Sequence, residues 1–170
     1  MEVMASPAIR TPAELYAHAI AIEREAAERY SELAERMDDE GREELARVFA
    51  GLAQMEAEHL EALERRTAGL ALPEIARERY QWLENGAPET ARRELIFRLM
   101  TPRQALAIAL AAERRAQAFF ELVAWSAADP ALRALAREML AEEAEHVELV
   151  SRMLEATPAP LGAVVVFERE

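Results

Sequence analysis

Two short runs in this chain carry a carboxylate and an imidazole at a spacing suited to metal binding: Glu56-Ala57-Glu58-His59 and Glu143-Ala144-Glu145-His146. Residues three positions apart stand side by side on one face of a helix, so each Glu-x-x-His presents an oxygen and a nitrogen ligand together. Glu23 and Glu113 each add one carboxylate from a different stretch of sequence. Oxygen and imidazole ligands without thiolate suit Fe(II), Mn(II) or Zn(II), and affinity order alone does not choose among them. Four carboxylates would balance two divalent cations with both histidines neutral. In so Glu-rich a chain, two Glu-x-x-His matches are weak taken alone. Their weight comes from where all six residues fall.

Each lies on an apolar stripe. Glu23 shares its helix face with Tyr16, Ala19, Ile20, Ala26, Ala27 and Tyr30, and Glu113 shares its own with Leu106, Ala109, Leu110, Ala116, Gln117 and Phe120. Glu56 keeps company with Phe49, Leu52 and Leu63, and Glu143 with Ala136, Met139 and Val150. No Arg occupies these inward positions, and an unpaired buried carboxylate must take up a proton or find a cation. Glu25, Glu58 and Glu145 sit two residues from a ligand position, about 200° around the helix, and are expected to face solvent. His18 is expected at the surface. Tyr30, one face-repeat beyond Glu23, is a candidate for hydrogen bonding a ligand or for electron transfer, with a core aromatic as the competing role.

Helices must position these groups. Thr11-Pro12-Ala13-Glu14 combines an N-cap, a Pro at the first helical position and a capping-box Glu, and Thr101-Pro102-Arg103-Gln104 repeats the signal. Residues 11–34 laid over 101–124 give nine identities, including Ala17/Ala107, Ala21/Ala111, Glu23/Glu113 and Arg24/Arg114. A second helix follows each copy, from Asp39 to about Thr67 and from Asp129, an N-cap followed by Pro130, to about Ala156. The reading is two helical hairpins of one design, all-α, with 1–10 an N-terminal arm, 11–156 the bundle and 157–170 a tail. Within the bundle, 68–100 is a long crossover containing shorter helices at Pro73–Asn85 and Pro88–Met100. The tail's Val164-Val165-Val166-Phe167 is β-prone and reads as a terminal segment or subunit contact.

Composition narrows the function. The net charge of −12 repels phosphates and anionic lipid, so no nucleic acid and no membrane surface is expected as a partner. The absence of Cys excludes disulfides, a thiolate metal site and an iron–sulfur cluster within this chain. The first residues show no basic-then-apolar leader and no long apolar span occurs, which gives a cytoplasmic expectation.

Glu23-x2-Ala26-x3-Tyr30, Glu56-x2-His59, Ala111-Ala112-Glu113 and Glu143-x2-His146 together resemble the rubrerythrin-like branch of the ferritin-like superfamily, over about residues 11–153. The resemblance implies a ferritin-like antiparallel four-helix bundle with a long helical crossover between helices 2 and 3, commonly paired as a homodimer. It implies two iron ions, with Mn or Zn as alternatives, held by Glu23, Glu56, His59, Glu113, Glu143 and His146, Glu56 and Glu143 bridging. The activity implied is reaction with dioxygen or hydrogen peroxide. Rubrerythrins append a Cys-rich electron-donor domain that this Cys-free chain lacks, so a separate electron donor protein is expected. They also carry a further Glu where this chain has Ala116, which keeps iron storage, sequestration or delivery without efficient turnover as the alternative. The four-Glu, two-His set is similar to that of bacterioferritin, but Ala57 replaces its haem-binding Met, so no haem is implied.

Overall fold

The computed structural model describes residues 9–75 and 101–158. Four helices make up a ferritin-like bundle: α1 (Pro12–Asp39), α2 (Glu43–Arg66), α3 (Pro102–Ser126) and α4 (Pro130–Ala156). Most of the N-terminal arm, residues 76–100 of the crossover and residues 159–170 of the tail, including the β-prone run, lie outside the described residues. Residues 70–75 form no helix, so the start proposed at Pro73 is not seen within the described part of the crossover.

The duplicated caps form as their chemistry requires. Thr11 accepts from the Glu14 amide while the Glu14 carboxylate accepts from the Thr11 amide, and Thr101 and Gln104 do the same at α3. Asp129 caps α4 through the Ala131 amide at 2.9 Å. One boundary differs from the sequence expectation: Asp39 ends α1 rather than opening α2. Met37, fully buried, keeps the last turn of α1 docked. Gly41 then reverses the chain at φ 71°, where a side chain would be strained, and the Arg42 amide closes back on the Met37 carbonyl at 2.7 Å.

α1 packs along α2, and α3 along α4, as antiparallel hairpins. Apolar residues fill two clusters. One gathers Leu15, Ile20, Leu63, Phe119, Phe120, Leu132 and Met139, and the other Tyr30, Met37, Leu45, Phe49, Leu106 and Val150. The inward carboxylates lie at intermediate heights on all four helices, between these two apolar ends. Both Glu23 and Glu113 stand twelve residues beyond their caps, or ~18 Å along the axis. On the outside, Arg66 of α2 pairs with Glu138 of α4 and covers the Tyr16 ring at 5.5 Å, tying the hairpins together. Arg103 of α3 donates to the carbonyls of Leu154 (2.8 Å) and Thr157 (3.0 Å), closing the C-terminal end of α4.

Candidate metal centre

Five of the six sequence-predicted ligands are buried in the middle of the bundle: Glu23, Glu56, Glu113, Glu143 and His146, none more than 5% exposed. The sixth, His59, is half-buried beside them. No Arg is buried among the described residues. The four carboxylates are thus withdrawn from water with no fixed cation among them.

His146 is the hub. Its Nδ1 stands 3.4 Å from Glu113 Oε2, 3.6 Å from Glu143 Oε2 and 3.9 Å from Glu56 Oε1. Its Nε2 lies 3.1 Å from His59 Nδ1, with the rings edge to face at 4.2 Å between centroids. Ligands held about 2.0–2.2 Å from one ion stand about 3.0–3.4 Å from each other. Glu56, Glu113 and His146 bring one ligand atom each to within 4.8 Å of the others, so a small inward movement of the side chains would bring them to that separation. Three atoms in this centre, Glu23 Oε2, Glu56 Oε1 and His146 Nδ1, are buried without a hydrogen-bond partner. Each is a lone-pair donor that a cation satisfies, and buried polar atoms are otherwise almost always paired. The residues present therefore fit metal ions.

The electrostatics point the same way. Burial raises the Glu23 carboxyl to about 8, helped by Glu143 and Glu113 and opposed by the hydrogen bond with Glu56. Burial also raises Glu56 far above the carboxylate range, reinforced by that shared proton and by Glu113. Glu143 is raised well above it by burial and by Glu113 and Glu56. Burial lowers His59, as does the neighbouring His146, which leaves it neutral and able to coordinate. For His146, burial disfavours the charged ring, but the carboxylates of Glu113 and Glu56 outweigh it and the net shift is upward. Bound cations reverse this logic, holding the carboxylates ionised and the imidazole neutral.

Tyr30 lies 2% exposed and donates from its hydroxyl to Glu113 Oε1 at 3.1 Å. Burial and the nearby Glu113 and Glu56 charges push its ionisation upward, so it stays a donor. Of the two roles open to it in the sequence, the hydrogen bond to a ligand residue is the one seen.

Two sequence expectations fail. Glu25 does not face solvent: it is half-buried and lines a ~50 Å³ cavity between α1 and α3, with Arg29, Tyr30, Arg115, Ala116 and the carboxylates of Glu56, Glu113 and Glu143. Small residues on both walls, Ala26, Ala112 and Ala116, leave a crevice that helical phase alone does not reveal. That volume holds a few waters or one small molecule. Arg29 and Arg115 went unrecognised as lining residues for the same reason. His18 is also half-buried, stacked on Phe119 at 5.6 Å with its Nδ1 2.7 Å from the Glu14 carbonyl, and burial lowers its pKa. Glu58 and Glu145 are exposed as expected.

The family model described as Rubrerythrin matches residues 14–154, nearly the whole bundle. The chain belongs to the rubrerythrin family. It is also similar to a crystal structure of an uncharacterised conserved protein from Magnetospirillum magnetotacticum MS-1, at 37% identity and a TM-score of 0.71, covering 88% of this chain and 97% of that one. Among proteins of curated function none matches the chain. Rubrerythrin membership and the buried Glu, Glu and His group support a di-metal carboxylate centre. No helix among the described residues is long and apolar enough to cross a membrane.

Proposed function

We propose that this rubrerythrin-family chain is a non-haem di-iron carboxylate protein that reacts with dioxygen or hydrogen peroxide, taking electrons from a separate donor protein. The observation that carries the reading is the set of atoms Glu23 Oε2, Glu56 Oε1 and His146 Nδ1, buried in the bundle centre without a hydrogen-bond partner. Glu23, Glu56 and His59 come from the first hairpin and Glu113, Glu143 and His146 from the second, so each hairpin would hold one ion, with the paired motif carboxylates of Glu56 and Glu143 shared. Iron bound there would supply the electrons for reduction of the oxidant.

The protein's own part is to bind, orient and exclude water. The apolar clusters above and below keep bulk solvent out, which strengthens every electrostatic interaction at the centre. Tyr30 fixes one oxygen of Glu113 by donating to it, leaving the other directed at His146. The cavity beside Ala116 gives a small oxidant room next to Glu56, Glu113 and Glu143.

Anaerobic Fe(II) titration tests the proposal: two ions per chain are expected, followed by rapid oxidation on adding peroxide or air. Binding near zero would remove the centre itself. Two bound ions without rapid oxidation would instead favour the reading in which iron is held for storage, sequestration or delivery.

A further inference from the structure

The centre meets its surroundings on two flanks of unlike charge. Between α1 and α3, the cavity carries the guanidinium groups of Arg29 and Arg115 against the carboxylate of Glu25, outside the ligand carboxylates at its inner end. Between α2 and α4 stands His59, half-buried and so the least buried of the six ligand residues. Glu58 and Glu145 beside it are exposed, and Glu142 is half-buried. The charges of Glu58 and Glu145 reach the His59 ring, and that of Glu142 reaches His146. Basic residues on this side are engaged elsewhere, Arg65 with Glu61, Arg66 with Glu138 and Arg152 with Glu148. Among the described residues no ion pair neutralises Glu58, Glu142 or Glu145.

An acidic surface alone selects nothing in a chain of net charge −12. This one is set apart by what lies directly behind it. His146 touches His59 at 3.1 Å and is itself 3% exposed. Its Nδ1, without a hydrogen-bond partner, faces the oxygens of Glu113, Glu143 and Glu56. Surface carboxylates, a half-buried imidazole and buried lone pairs thus follow one another from solvent to centre, each a ligand type that divalent cations accept.

We propose that divalent cations enter between α2 and α4, drawn by Glu58, Glu142 and Glu145 and received by His59. The net positive outer lining of the α1–α3 cavity turns cations away and leaves that cavity to uncharged or anionic molecules. Such a route presupposes the metal centre inferred above. Charges placed this way govern the rate of capture more than the final occupancy. None of the three acids is a ligand, so loading without them still ends at two ions, only later.

Stopped-flow mixing of the metal-free full chain with Co(II), followed by the visible absorption of the bound ion, reads the rate of uptake. At about 0.1 M ionic strength, where charges act over about 10 Å, Glu58→Gln/Glu145→Gln should slow uptake roughly fivefold or more. The difference should close near 1 M, where that reach shrinks to about 3 Å. Glu32→Gln/Glu35→Gln removes the same charge from an exposed part of α1 and should leave the rate unchanged. Arg29→Gln/Arg115→Gln should not speed uptake. Three results overturn the route while leaving the centre in place: normal rates in Glu58→Gln/Glu145→Gln, equal slowing in Glu32→Gln/Glu35→Gln, or severalfold faster uptake in Arg29→Gln/Arg115→Gln. A native chain that binds no Co(II) removes the centre itself, and the route with it.

Discussion

The two hairpins share one design, with nine identities between residues 11–34 and 101–124, yet they do not contribute equally to the centre. Glu113 of the second hairpin has an oxygen held by the Tyr30 hydroxyl, while Glu23, its counterpart in the first, keeps Oε2 without a partner. The cause is one atom. Phe120 stands where the repeat places Tyr30, and a phenyl ring cannot donate. The histidines differ as well: His146 is 3% exposed with its Nδ1 facing three carboxylates, whereas His59 is half-buried and meets His146 through its ring edge. A duplicated ligand set thus yields two inequivalent halves, because the residues around the ligands diverged while the ligands did not.

The largest expected effect tests what the halves share. Glu56→Ala and Glu143→Ala should each impair binding of both ions, by more than the roughly 10–100-fold typical of a residue that only orients a ligand. Exposed Glu58→Ala should leave the stoichiometry at two. Metal analysis after anaerobic loading reads both outcomes, and loss of a single ion from each bridging variant would mean that the halves are independent.

Next comes pH. In the metal-free protein the folded-state pKa values of Glu23, Glu56 and Glu143 lie above their unfolded values. The folded state then binds more protons than the unfolded one. The resulting stability is complete below the unfolded carboxylate pKa, about 4.3, and is lost as pH rises through the folded values, near 8 for Glu23. Between pH 5 and 8 the apo melting temperature should fall by more than about 5 °C. Zn(II)-loaded protein should show the opposite slope, since metal binding requires deprotonated ligands. Parallel melting curves for the two forms would contradict a shared buried site.

The inequivalence itself is tested by exchanging the aromatics. Tyr30→Phe leaves Glu113 Oε1 unsatisfied and should cost about 1–3 kcal/mol in the apo protein, read by denaturant unfolding. Its metal effect should appear on the second of two resolved binding steps. Phe120→Tyr should bring the steps closer together by offering Glu23 a donor. Unchanged steps in both variants would show that the hydroxyl does not distinguish the halves.

The smallest effect belongs to the outer surface. Glu138→Ala removes the exposed pairing with Arg66 that links the hairpins and should cost less than about 1 kcal/mol, with metal binding untouched. A larger loss would make the hairpin contact, rather than the centre, the dominant tie between the copies.

The four helices, three of their caps, the duplication and the inward direction of Glu23, Glu56, Glu113, Glu143 and His146 are all legible in the residues alone. Capping and helical phase are local properties, written within a few residues, and the repeat states them twice. Local phase failed wherever the answer depended on what stands across a helix boundary. Glu25 points away from Glu23 by phase, yet Ala112 and Ala116 on another helix are too small to fill the crevice it enters. His18 has the polarity of a surface group, but Phe119 on another helix gives its ring a partner to stack on. Asp39 has the chemistry to start α2, but burial of Met37 carries α1 as far as Asp39 itself, just before the turn at Gly41. The Tyr30–Glu113 bond joins residues 83 apart. Only tertiary packing decides such contacts, because the size and reach of a partner on another helix are not encoded in a residue's own periodicity.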